Sequence, residues 1–260
     1  MNKMKIRTLY ESLPPPLKYL ARGVRGILDL NPLSKRARRE KWVRHVYTQF
    51  GLDQRRGIFL SIARFCHINR PINGYYFEFG CHEGNTFRMA YDSFHYLFDW
   101  TYVAFDSFEG LPEIAAVDKQ DIWQKGKLKT VEEDFVDLVT KHGVPRDKLR
   151  TVKGFYDQSL THELKQKLLP QKAAVIYIDC DLYTSTVPVL NFIRDFLQRG
   201  TIIVFDDWYC FHGDPEKGER KAFDEFRKRE PHMIFEDFVE TSEGKAFIYL
   251  GERELQTREI

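Results

Sequence analysis

The stretch AVIYIDCDL at positions 174–182 decides the fold. Alanine, valine, isoleucine, tyrosine and isoleucine run without a break into Asp179 and, two residues on, Asp181. An unbroken apolar run of that length, with no polar alternation, reads as a strand buried on both faces. TIIVFDD at 201–207 repeats the pattern and stops on Asp206 and Asp207. Two such strands side by side would place all four aspartates at one edge of a sheet. Like charges repel, so carboxylates gathered there point to a cation as their partner.

Outward from these runs, short apolar segments alternate with helical periodicity. Strands are expected at 75–79, 101–105, 149–152, 173–178, 202–205, 233–239 and 246–250. Helices are expected at 85–97, 131–142, 159–169, 185–198 and 216–229. Strand and helix in alternation mean an α/β chain with a seven-stranded, mostly parallel sheet and helices on both faces. Ligands of such a sheet bind beyond the carboxyl ends of its strands. The 19 residues 111–129 lack periodicity and read as a lid, with Trp123 its expected contact.

Composition narrows the function. The 260 residues are 43% hydrophobic, enough for a core, and the net charge of +2 gives no global field for nucleic acid. Cys66, Cys81, Cys180 and Cys210 are far apart, without the spacing of a zinc site or a disulfide framework, which fits a reducing cytoplasm. No apolar run is long enough to span a membrane. The chain divides into an N-terminal helical extension, 1–70, and an α/β domain, 71–260. The first 41 residues hold eleven Lys or Arg against three acids. Leu17, Leu20, Ala21, Val24, Ile27 and Leu28 recur there at helical spacing between Lys18, Arg22 and Arg25. Such a helix packs on its own domain, joins a second subunit in a homo-oligomer, or lies on an anionic membrane surface as a peripheral contact.

The first strand–loop–helix, FEFGCHEGNT at 77–86, carries Gly80 and Gly84. A dinucleotide loop needs GxGxxG, but His82 occupies the middle position and the spacing is one residue short. No GxxxxGK[ST] motif is present. The loop suits a nucleoside without phosphates, and S-adenosylmethionine is one: its amino-acid end can lie against Gly80, with Glu78 helping to hold the ammonium. Asp106, at the end of the second strand, is placed to accept hydrogen bonds from ribose hydroxyls.

FDSFEGLPE at 105–113, KGFYDQSL at 153–160, IDCDLYTST at 178–186 and FDDW at 205–208 follow in order. Together they resemble the macrocin O-methyltransferase family, class I enzymes with a Rossmann-like fold that use S-adenosylmethionine to methylate sugar hydroxyls. The resemblance implies that Glu78, Gly80 and Gly84 shape the methionine pocket. It places Asp106 and Ser107 at the ribose, and Gly154 and Phe155 at the adenine. It implies Mg2+ held by Asp179, Asp206 and Asp207, with Asp181 as the general base. A sugar hydroxyl is a weak nucleophile, and a hard divalent cation lowers its pKa and anchors it. The expected acceptor is a sugar-containing small molecule or glycan. Two alternatives stand beside this: a catechol-type phenol O-methyltransferase, and a non-catalytic S-adenosylmethionine-binding scaffold docked through its basic N-terminus. His82 and His212 are candidate contacts. Tyr183, Trp208, Tyr209 and Phe211 are either a sugar-stacking wall or core residues.

Overall fold

The computed structural model describes residues 14, 17–20 and 35–253. The chain forms two compact units, 1–53 and 54–260. In the first unit residues 17–20 are helical, and the remainder of the expected 17–28 helix lies outside the described residues. Helix α1, Lys35–Trp42, passes through a π-helical turn, Val43–Tyr47, into α2, Thr48–Ile68. Trp42, Val46, Tyr47 and Phe50 are exposed in this region. The sequence puts the end of the extension at residue 70, whereas the division between units falls inside α2. The reason is packing: Phe59, Ile62 and Cys66 on the second part of α2 are fully buried, and the Phe59 ring meets Tyr76 and Tyr177 of the sheet.

The second unit is built on seven strands: β1 Tyr75–Phe79, β2 Thr101–Asp106, β3 Leu149–Lys153, β4 Ala173–Ile178, β5 Ile202–Phe205, β6 Met233–Glu240 and β7 Lys245–Glu252. Their order in the sheet is β3-β2-β1-β4-β5-β7-β6. The first five run parallel, and β7 is antiparallel to both β5 and β6. Every residue of β1, β4 and β5 is buried, as two covered faces require. The intervening helices are α3 Asn85–Phe94, α4 Glu132–His142, α5 Tyr156–Ser159, α6 His162–Leu168, α7 Tyr183–Ile193 and α8 Gly218–Arg229. Local signals fix their ends. Glu132, Glu133 and Asp134 open α4, Lys141 and His142 close it, and each sign complements the helix dipole there. Thr161 caps α6 by accepting from the Leu164 N–H at 3.2 Å.

The core is dense in aromatic rings. Phe79 and Phe105, on neighbouring strands, stack at 4.3 Å, and Phe192 of α7 meets both edge-on. Strand order reverses between β1 and β4. The crevice beyond their carboxyl ends is where a sheet of this topology binds ligands.

Candidate active site

Gly80 leaves β1 with φ of +86°, and a Cβ built there would lie 1.8 Å from the Asp179 carbonyl oxygen. Only glycine fits, so the loop after β1 lies directly on the acidic turn after β4. Gly84, at φ +67°, precedes α3, where a Cβ would press on Val139 and Phe135 of α4 at 3.0–3.1 Å.

Asp106 ends β2 and is 9% exposed. Its Oδ2 accepts the Cys81 and His82 N–H groups at 2.7 and 3.1 Å, and its Oδ1 accepts that of Phe108 at 2.7 Å. One carboxylate thus holds two loops at the mouth of the sheet and keeps acceptor capacity on Oδ1. Glu78 is wholly buried, with Oε1 accepting from Thr86 at 2.7 Å and Oε2 from the Tyr76 hydroxyl. Burial outweighs those two hydrogen bonds and pushes its carboxyl up to about 8.

A cavity of about 750 Å³ opens at this edge. Gly80, His82, Asp106, Ser107, Gly154 and Phe155 line one side, and Asp179 and Asp181 line the other. Residues 111–129 roof it, and the loop is tied at its base: Leu111 N–H donates to the Lys127 carbonyl and Gly126 N–H to that of Leu111, both at 2.9 Å. Asp118, fully buried within the loop, caps α7 by accepting from Tyr183 N–H at 2.7 Å, Thr184 N–H at 3.2 Å and the Thr184 hydroxyl at 2.6 Å.

Oxygens of Asp179, Asp181 and Asp207 lie within 4.8 Å of one another. Strand β4 ends at Ile178, so Asp181 does not reach the cavity by strand alternation. It turns in through a left-handed backbone, φ +59°, which aspartate tolerates. Burial first, then the charges of Asp206 and Asp207, hold Asp179 well above the usual carboxylate range. Burial and Asp207 do the same to Asp181. Asp207 is pushed up to about 6, mainly by burial and then by Asp206. Asp207 Oδ2 is buried without a partner. Hard oxygen donors, mutual repulsion and an orphaned acceptor together fit a hard divalent cation.

Asp206 faces the other way. The Arg55 guanidinium, from α2, grips it with Nε at 2.9 Å from Oδ1 and Nη2 at 2.5 Å from Oδ2, and the Tyr177 hydroxyl donates to Oδ1. Burial alone would lower the Arg55 pKa, but its hydrogen bond to Asp206 and the charge of that carboxylate raise it. Expected beside Asp179 and Asp207, Asp206 is instead held in an ion pair. Any contact of its own with a cation would have to share the carboxylate with Arg55 and Tyr177.

The family model for macrocin O-methyltransferase (TylF) matches residues 30–242. The chain belongs to the macrocin O-methyltransferase family. It is an S-adenosylmethionine-dependent O-methyltransferase with the Rossmann-like fold expected of that family. No curated protein matches the sequence. Among solved structures, the calicheamicin methyltransferase CalS11 superposes with a TM-score of 0.60 at 20% identity, over 91% of this chain and 93% of that one. The O-methyltransferase NovP gives 0.59 at 19% identity, over 76% and 80%. An apo structure of CalS11, described as a TDP-rhamnose 3′-O-methyltransferase, gives 0.53 at 19% identity, over 91% and 95%.

In this macrocin O-methyltransferase relative, Gly80, Asp106, Ser107, Gly154, Phe155, Asp179 and Asp181 line one cavity, whereas Glu78, Gly84, Asp206 and Asp207 do not line it. Trp123 does not line the cavity; Leu111, Pro112, Ala115 and Leu128 do. Trp208 is core, packed on Phe205, Phe223 and Phe247. Phe211 is buried, and His212 is exposed. Three residues at the site escape the sequence reading. Arg55 and Asp118 pair with partners 151 and 65 residues away. Glu219 resembles a first-turn acid complementing a helix dipole.

Proposed function

We propose that the enzyme is a Mg2+-dependent methyltransferase acting on a sugar hydroxyl. The observation that carries this reading is one cavity lined by Gly80 and Asp106 on one side and by Asp179 and Asp181 on the other, with the Asp207 carboxylate converging on those two. CalS11, a TDP-rhamnose 3′-O-methyltransferase, supports a sugar acceptor, and the O-methyltransferase NovP supports transfer to oxygen.

On this reading, Asp106 and Ser107 orient the ribose of the methyl donor. Gly154 and Phe155 border its base. Gly80 and Gly84 shape the loop against its methionine end, and Glu78 braces that loop from behind through Thr86 and Tyr76. Bound S-adenosylmethionine supplies an electrophilic methyl group, so the chain's task is to align a nucleophile in line with it and shed water. The roof at 111–129 excludes solvent and presents the acceptor. Asp179 and Asp207 would hold Mg2+, with Asp206 adding negative charge nearby, or a ligand if it shares itself with Arg55. When bound, the ion would lower the pKa of an acceptor hydroxyl and fix its position. Asp181, deep in the cavity, takes the hydroxyl proton as general base. The mutual approach of Asp179, Asp181 and Asp207 favours a second reading, in which Asp181 is itself the third ligand.

Mass spectrometry of a sugar-containing acceptor library, incubated with S-adenosylmethionine with and without Mg2+, tests the activity. A gain of one methylene that depends on Mg2+ is expected. Transfer to phenols alone, or transfer that survives chelation, sinks the proposal. Asp181→Asn separates its two roles. As a base it keeps Mg2+ affinity while turnover falls by about 100-fold or more. As a ligand it loses both.

A further inference from the structure

Glu219 stands in the first turn of α8 and has no exposure to solvent. Its Oε1 accepts the N–H of Cys180, and its Oε2 accepts the N–H of Asp207, both at 3.1 Å. No ion pair to Glu219 is found among the described residues. The two donors belong to the two turns that carry the acidic residues. Strands β4 and β5 pair in register only as far as Ile178 with Phe205, and the last bond between them runs from Asp206 N–H to the Ile178 carbonyl at 2.9 Å. Beyond it, no backbone hydrogen bond joins residues 179–182 to 207–210 among the described residues. The sheet ladder has stopped before the point where the carboxylates must be spaced.

We propose that Glu219 is a positioning residue that continues the ladder with a side chain, clipping the Asp179–Cys180–Asp181 turn to the Asp206–Asp207 turn and thereby setting the separation of the Asp179 and Asp207 carboxylates. A carboxylate suits this place because both of its oxygens accept. A carboxamide of the same shape accepts once and turns an N–H toward an N–H. A buried carboxylate with no countercharge is costly, and the two backbone donors are what keep it there. Both of its oxygens are committed to backbone, so Glu219 acts on an ion only through the turns it joins.

This inference rests on the reading that Asp179 and Asp207 hold a divalent cation, and the test separates the two. Magnesium binding is measured by calorimetry on the protein saturated with S-adenosylhomocysteine, for the wild type, Glu219→Gln and Glu219→Met. Amide hydrogen exchange at Cys180 and Asp207 is followed in the metal-free proteins. Magnesium affinity is expected to fall about 10-fold in Glu219→Gln and further in Glu219→Met, as for other groups that orient metal ligands. Affinity for S-adenosylhomocysteine should stay within about 3-fold, and exchange at the two amides should quicken about 10-fold or more. Equal loss of nucleoside and metal binding would mark Glu219 as a general structural residue and overturn the assignment. So would unchanged magnesium affinity in a folded variant of a wild type that binds the ion. A wild type that binds no magnesium sinks the cation reading instead. The exchange rates then decide the clip alone: unchanged protection at both amides refutes it. Should Glu219→Met fail to fold, the isosteric Glu219→Gln carries the test.

Discussion

The two walls of the cavity use the same residue type in opposite ways. On the donor side, Asp106 meets three backbone N–H groups and is satisfied before any ligand arrives. On the acid side, Asp179, Asp181 and Asp207 meet mainly one another, and one oxygen of Asp207 meets nothing. A satisfied carboxylate shapes a loop; a frustrated set waits for a positive charge. Only the second wall should therefore respond strongly to metal. Gly80 is where the walls touch.

The strongest way to break this division is to force the walls apart. Gly80→Val puts a side chain into the Asp179 carbonyl and strains a left-handed backbone, and it should cost about 4 kcal/mol or more, the range of exceptional substitutions. Loss of both nucleoside and metal binding, or no soluble protein, is expected. Retained binding at either wall would show that the contact is not shared. Next in size is Arg55→Met, which leaves Asp206 buried and unpaired. The metal-free protein should lose about 2–4 kcal/mol in chemical denaturation. Magnesium should recover part of that loss, because the freed carboxylate strengthens the acid wall. Equal loss with and without the ion would separate Arg55 from that wall.

Asp179→Asn sharpens the comparison rather than breaking it. Magnesium affinity and turnover should each fall about 100-fold or more, about 3 kcal/mol, while S-adenosylhomocysteine binds within about 3-fold of the wild type. The smallest effect is the pH dependence of the untouched protein. Glu78, raised from 4.5 to about 8, and Asp207, raised from 3.8 to about 6, bind more protons when folded than when unfolded. Stability from these groups is complete below their unfolded pKa values and is lost as pH rises through the folded ones. Thermal denaturation in chelator should give a melting temperature that falls from pH 5 to pH 8. Magnesium should oppose the fall increasingly toward pH 8, since it favours the ionised acids. A flat profile in chelator would contradict the burial of these charges.

The fold was legible wherever a local pattern carried it. β1, β2, β4 and β5 were legible as apolar runs because covered β-strands need no polar alternation, whereas β3 and β6, the two edge strands, carry polar residues and are half-exposed; DCD and DD marked the carboxyl ends of the central strands because acids rarely end such runs together. Helix ends were less exact. Residues 85–97 read as one helix, but α3 stops at Phe94, and the expected 159–169 helix is the shorter α6, His162–Leu168, preceded by the separate turn of α5, Tyr156–Ser159. Site geometry was less legible because it depends on distant partners. Nothing in the QRRG sequence around Arg55 indicates that its guanidinium meets Asp206, and nothing in KGER indicates that Glu219 bridges two turns. Asp181 illustrates the limit well. Strand alternation brings it to the right wall on paper, yet the chain delivers it there through a left-handed turn that alternation does not encode.

The roof at 111–129 has its two ends hydrogen-bonded to each other, through Leu111 with Gly126 and Lys127, and internal anchors side by side at Asp118, which caps α7, and at the Val117 carbonyl, which accepts from Lys217 Nζ at 3.1 Å. The entropy of closing the loop is thus met at its base and not by its sequence in between. Such a segment behaves as an exchangeable cartridge. Its interior can drift, lengthen or be swapped for that of another chain while the catalytic walls below keep their spacing, provided the base pairing and the internal anchors remain. Selection for a new acceptor then has about a dozen residues to work on without touching the chemistry.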